Sequence, residues 1–154
     1  MAAQHFLQPG DFERVIRLTP LVSIDLIISD PEGQVLLGLR TNEPAKGVYF
    51  VPGGRIGKME TLDSAFLRIL EGETGCKAQR SDAEFLGVYE HIYNTNVFGD
   101  SAYGTHYVVL GYRLQLQERP RAILDDQHSA WKWVSPVDLL TAHDVHENTK
   151  AYFR

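Results

Sequence analysis

The sequence predicts an α+β domain, a mixed β-sheet flanked by helices, on three observations. Four stretches, 21–29, 34–40, 83–93 and 105–117, carry strand patterns. One long amphipathic helix lies inside 51–76. The other helical signals are short and peripheral, at 11–18, 136–142 and 146–153. No repeat, low-complexity tract or linker interrupts the chain, so residues 1–154 are read as a single domain.

Taken in order, DFERVIRL (11–18) has the spacing of a short amphipathic helix, and Thr19-Pro20 ends it, because a residue before proline is pushed toward extended backbone. LVSIDLIIS (21–29) alternates as a strand, with Val22, Ile24, Leu26 and Ile28 on one face. DPEG (30–33) reads as a turn, and QVLLGLR (34–40) as the returning arm of a hairpin. TNEPAKG (41–47) is a loop, and VYFVPGG leads by a short strand into the long helix. Beyond it, AEFLGVYEHIY (83–93) and THYVVLGYRLQLQ (105–117) are strands around a polar, mobile hairpin loop at 94–104. Residues 118–130 form a connection and WKWV a short strand. Ser135-Pro136 supplies a cap and a first helical proline for PVDLLTA, and HENTKAYF closes the chain as a last short helix.

Composition narrows the function classes. Apolar content of 44% and charged content of 23% suit an ordinary globular protein. A net charge of -5 gives no basic field for nucleic acid. An anionic substrate therefore needs local arginines or a metal. The lone Cys76 excludes an internal disulfide. With neither a signal-peptide pattern nor an apolar run of about 20 residues, a cytoplasmic protein without membrane association is expected.

On a helical wheel of about 100° per residue, Leu62, Ala65, Phe66, Ile69 and Leu70 form one apolar stripe, with Glu60, Ser64 and Glu71 pointing away. Glu73 projects back toward the apolar side. Either the helix frays near Gly72 and the acid reaches water, or the carboxylate is paired or holds a cation. Asp25 poses a similar choice in the middle of an apolar strand: it shares a face with Ser23 and Ile27, and serves either a structural ion pair or a polar cleft. Arg40 ends the second strand and Arg55 follows the Gly53-Gly54 turn. Their planar forks of donors suit phosphate oxygens, and glycine lets backbone approach a ligand or ion closely. Arg68 and Glu60 can pair only if the loop before the helix folds back, and Arg68 is read as scaffolding that orients acids. His128, in the loop DDQH, is of the residue type that acts as a base near neutral pH. His91 and His106 lie on strands, packed or substrate-facing, and Tyr107 faces opposite to His106.

Gly54, then Glu60 after five residues, Arg68 after seven more, then Glu73, Gly75 and Cys76 resemble the Nudix box. That box is the loop–helix–loop with which Nudix hydrolases hold a divalent cation against a diphosphate. Two of its usual acids are absent, their places taken by Ile69 and Gly72. TPLVSIDLI (19–27), LLGLRTN (36–42), FVPGGR (50–55), THYVVLGYR (105–113), DDQH (125–128) and VHENTKAYF (145–153) are similar to the GDP-mannose hydrolase branch of that family, which cuts a carbon–oxygen bond and lacks the same acids.

The resemblance implies a Nudix fold, its mixed sheet sandwiched between α-helices. It implies one Mg²⁺ per subunit, replaceable by Mn²⁺, on the Gly53 carbonyl, Glu73 and Gln127. It further implies His128 as general base, with Asp25, Arg40, Arg55 and Tyr107 around the departing diphosphate. Phe6, Leu7 and Phe12, with Arg40 and His91, would contact GDP-mannose in a homodimeric enzyme. Two other readings remain open here: a nucleotide-sugar pyrophosphohydrolase that releases GMP and sugar 1-phosphate, and a non-catalytic nucleotide-sugar binding module.

Overall fold

The computed structural model describes residues 7–120 and 128–154, and for His128 and Ser129 the backbone alone. The elements are α1 (Pro9–Leu18), β1 (Leu21–Ser29), β2 (Val35–Arg40), β3 (Tyr49–Phe50), β4 (Gly53–Arg55), α2 (Leu62–Thr74), β5 (Glu84–Tyr93), β6 (Thr105–Gln115), β7 (His128–Val134), α3 (Pro136–Thr141) and α4 (Glu147–Lys150). Short 3₁₀ turns lie at Arg80–Asp82 and Ala151–Phe153.

Local chemistry accounts for the boundaries. α2 starts where the Thr61 side chain accepts from the Ser64 N–H, and stops at Gly75, whose φ of 74° closes the last turn with a bond from its N–H to the Glu71 carbonyl. Fraying at Gly72, one of the two alternatives for Glu73, does not occur. In α3 the expected Ser135 cap is formed, its hydroxyl accepting from the Asp138 N–H at 3.1 Å. A helix of this length is marginal alone. α2 is held by burying Ala65, Phe66, Ile69 and Leu70 against the sheet, each large side chain contributing roughly 1.5–3 kcal/mol relative to exposure.

The strands run in the order β3-β2-β1-β6-β5, with β4 also on β1 and β7 on β2. β1 is parallel to β6 along its whole length and the other strand pairings are antiparallel, so the sheet is mixed. The expected β1–β2 hairpin is reduced to its turn end, where Ser29 faces Val35. β4 occupies β1 from Ser23 to Asp25, so β2 peels away and pairs with β3 and β7 instead. This splaying separates two cores. Ile24, Leu26 and Ile28 of β1 pack with Phe66, Ile69 and Leu70 under α2. Ile27 packs on the opposite face with Leu37, Phe50, Leu139, Val145 and Tyr152, toward α3 and the C-terminal turns. The sheet is therefore sandwiched between helices. Val22 keeps the parity of Ile24, Leu26 and Ile28 but is 45% exposed.

The 94–104 segment is organised rather than loose. Asn96, 1% exposed, donates to the carbonyls of Asp100 and Tyr103 and accepts from the Phe98 N–H. It docks on α1, with Phe98 edge-on to Phe12 at 5.8 Å and the Tyr103 hydroxyl donating to Glu13. Among the described residues no helix is long and apolar enough to cross a membrane.

Candidate active site

A cavity of about 300 Å³ opens between α1, the splayed strands and the 94–104 segment. Of the residues picked out from sequence, Asp25, Arg40, Arg55, Tyr107 and His91 line it, with Gly53 in its wall and Leu7 and Phe12 at its α1 side. The strand alternation explains the gathering. Ser23 and Asp25 of β1 share a face, and β6 brings Tyr107 alongside, in register with Leu21 and His91. Tyr107 therefore belongs to the cleft face. Phe6 and Gln127 lie outside the described residues, as does the side chain of His128. The backbone of His128 pairs with that of Arg40 across β2 and β7, and Arg40 lines the cavity.

Asp25 is 8% exposed and receives a 2.6 Å hydrogen bond from the Tyr152 hydroxyl. Burial pushes its pKa up to about 7, with the Tyr152 hydrogen bond and the Arg40 charge pulling it back. Arg40 donates from Nε to the Pro44 carbonyl at 2.9 Å. Arg55 lies 4.2 Å over the ring of Phe12, a cation–π contact that orients its guanidinium. Burial lowers the Arg55 pKa and Tyr107 partly restores it. An arginine stays cationic through such a shift. Burial raises the Tyr107 pKa, so its hydroxyl stays protonated and able to donate. The arrangement is two cations, a hydroxyl donor and a buried acid around one space, which suits a diphosphate.

Beneath the cavity, β4 lies tightly against β1. A Cβ at Gly53 would fall 2.5 Å from Asp25 Oδ1 and 2.6 Å from the Ile24 carbonyl oxygen. Gly53→Ala is expected to cost about 2–3 kcal/mol by forcing β4 off β1. A urea titration checks this, and an unchanged midpoint would contradict it. Gly54 stands over Ile69, whose side chain would lie 3.1 Å from a Cβ there. Ile69 is 3% exposed, so hydrocarbon fills the place of the box's missing acid. Glu73 is partly buried, its Oε2 shielded from solvent, as the wheel predicts for an acid turned inward.

Glu60 differs from its expected outward direction. It precedes α2, and the loop folds back so that its side chain is 1% exposed against Arg68. Arg68 donates to both Glu60 oxygens, at 2.7 and 2.9 Å, and to the Arg55 carbonyl at 2.6 Å. The scaffolding role read for Arg68 is what this geometry shows.

His91 is 4% exposed, near Phe50 and Tyr152, and its Nε2 has no hydrogen-bond partner among the described residues. Burial, with His146 adding to it, pushes its pKa down to about 4 from 6.5. The unfolded chain therefore takes up this proton first. Stability is full above about pH 6.5 and falls as pH drops toward 4, by roughly 3 kcal/mol from this group. Urea midpoints between pH 7 and 4 check this. His91→Leu should flatten the acid limb, and an equal slope in both proteins would contradict it.

Sequence reasoning missed Tyr152 and Tyr93, which lines the cavity and receives a 3.1 Å bond from Asn148 Nδ2. A signal for Tyr152 existed in Gly111, inside a strand, since an interior strand glycine often marks a close approach. Nothing in the sequence named the approaching ring.

Among described residues, no three His, Cys, Asp or Glu side chains form a metal-holding group. Residues 19–154 match the model of the NUDIX domain family. The chain is 38% identical over 126 residues to the low-salt glycan biosynthesis protein Agl8 of Haloferax volcanii, covering 82% of this chain and 78% of that protein. It is 38% identical over 72 residues to an ADP-ribose pyrophosphatase of Methanocaldococcus jannaschii, covering 47% of this chain and 41% of that protein. A MutT NUDIX hydrolase from Burkholderia pseudomallei superposes with a TM-score of 0.70 at 29% identity, covering 88% of this chain and 96% of that one.

Proposed function

Since the chain belongs to the Nudix family and is a Nudix hydrolase of nucleoside diphosphate derivatives, we propose that it hydrolyses GDP-mannose to GDP and free mannose. Water attacks the anomeric carbon and inverts it, as in single-displacement glycoside hydrolysis. The new bond joins water oxygen to that carbon, the carbon–oxygen bond to the β-phosphate breaks, and its electron pair leaves with GDP. His128 takes the water's proton. Arg40 and Arg55 hold the diphosphate oxygens, Tyr107 donates a hydrogen bond as charge builds on them, and Asp25 faces the same group. Leu7 and Phe12, with Phe6 beyond the described residues, offer apolar surface to the nucleotide, and His91 lies deeper in the cavity.

The observation that carries this reading is Ile69, buried against Gly54. With hydrocarbon there and Gly72 bearing no side chain, α2 offers no cluster of acids to activate water at phosphorus. A diphosphate that merely leaves needs its charge neutralised. Nudix hydrolases generally use divalent metals such as Mg²⁺. The Gly53 carbonyl, Glu73 and Gln127 fit one such ion, being all-oxygen donors with a single carboxylate charge, which leaves room for phosphate oxygens. When bound, Mg²⁺ or Mn²⁺ supplies Lewis-acid stabilisation of the leaving diphosphate. The glycan role named for the Haloferax relative supports a nucleotide sugar as substrate.

The pyrophosphatase name of the Methanocaldococcus relative favours a second reading, attack at phosphorus. Anion-exchange chromatography after incubation with GDP-mannose and Mg²⁺ separates them. GDP with mannose is expected, whereas GMP with mannose 1-phosphate, or unchanged substrate, would overturn the proposal. A homodimer is proposed on the same resemblance, and sedimentation equilibrium should return twice the 17.4 kDa chain mass.

A further inference from the structure

Asp25 sits between two glycines. Its register partner on β4 is Gly53 and on β6 is Gly111, so neither neighbouring strand places a side chain beside it. On the Gly53 side, backbone closes against Oδ1, which a Cβ would approach to 2.5 Å. On the Gly111 side, the space is filled from the far end of the chain. A Cβ at Gly111 would lie 3.0 Å from Cε1 of Tyr152 and 3.2 Å from Cε1 of Tyr89.

Tyr152 is 5% exposed and stands edge-on to Tyr89 at 4.6 Å. Its hydroxyl donates to Asp25 Oδ2 at 2.6 Å, yet Tyr152 does not itself line the cavity. The terminal torsion of an aspartate is broad and roughly two-fold. A hydroxyl held on one oxygen, by a ring buried against Tyr89, restricts that freedom and favours one orientation of the carboxylate.

We propose that Tyr152 is a positioning residue, which reaches across the slot left by Gly111 and fixes the Asp25 carboxylate with Oδ1 against Gly53. The inference rests on the reading that Asp25 serves the departing diphosphate. It makes the last 3₁₀ turn, Ala151–Phe153, part of the active site through a residue that touches no substrate.

The test is a double-mutant cycle with Tyr152→Phe and Asp25→Asn, measured as release of GDP and mannose from GDP-mannose with Mg²⁺. Tyr152→Phe should lower kcat by about 10- to 100-fold with KM little changed, the scale expected for a misplaced catalytic group. It should add almost nothing in the Asp25→Asn background. Full kcat in Tyr152→Phe, or a loss that adds independently to that of Asp25→Asn, would overturn the positioning role. Wild-type protein that releases no GDP and mannose would instead overturn the functional reading, and the positioning role for that reaction with it. A proton spectrum reads the same bond without turnover. The wild type should show a downfield, slowly exchanging Tyr152 hydroxyl proton that Asp25→Asn shifts or removes, and its persistence unchanged would contradict the contact whether or not Tyr152→Phe folds.

Discussion

His128→Gln is expected to lower kcat by about 10²–10⁴-fold, the usual contribution of a general base, with little change in KM. Glutamine keeps much of the size and polarity of the side chain but cannot take a proton from water. The β2–β7 register sets the backbone of His128 opposite that of Arg40, and Arg40 lines the cavity. The base proposed there comes from outside the box helix, where α2 has hydrocarbon at Ile69. Steady-state kinetics on GDP-mannose check the prediction, and full turnover by the variant would remove His128 from the mechanism.

Arg68→Met is expected to destabilise the protein by about 3 kcal/mol. The Glu60 side chain is 1% exposed, and its carboxylate loses both guanidinium bonds in the variant, while the Gly57 N–H bond remains. Breaking one side of a buried ion pair costs about 3–5 kcal/mol, and the one-third exposure of Arg68 puts this pair at the lower end. Glu60→Gln with Arg68→Met should recover part of the loss, because no charge is then left buried. Urea midpoints at pH 7 measure all three variants. A near-neutral single variant would mean that the loop before α2 is held by other groups. Because Arg68 also carries the Arg55 carbonyl at 2.6 Å, the folded variant should show a raised KM as Arg55 loosens.

Where a side chain's neighbours lie on its own strand or helix, the sequence made the outcome legible. The bounds of β1 follow from alternation, and the inward turn of Glu73 from the helical wheel. The set of Asp25, Arg40, Arg55 and Tyr107, which lines the cavity, was named by the family resemblance, since strand pattern alone left Asp25 between an ion pair and a cleft. What escaped depends on distant partners. β2 leaves β1 because three residues of β4 compete for the same edge, a contest that no local pattern records. Glu60 turns inward because Arg68, eight residues on, draws it there. The 94–104 segment looks polar and loose until Asn96 is seen bonding two of its carbonyls. Tyr152 meets Asp25 across 127 residues of separation.

Hydrolysis of GDP-mannose in ¹⁸O-labelled water tests the central claim most directly, because it reports which atom the water attacks. The missing acids on α2, the gathering of Arg40, Arg55 and Tyr107 around one cavity, and the proposed base His128 together predict the label in free mannose and none in phosphate. Label in the phosphate of a GMP or sugar 1-phosphate product would contradict it, and would mean that water is activated at phosphorus despite Ile69.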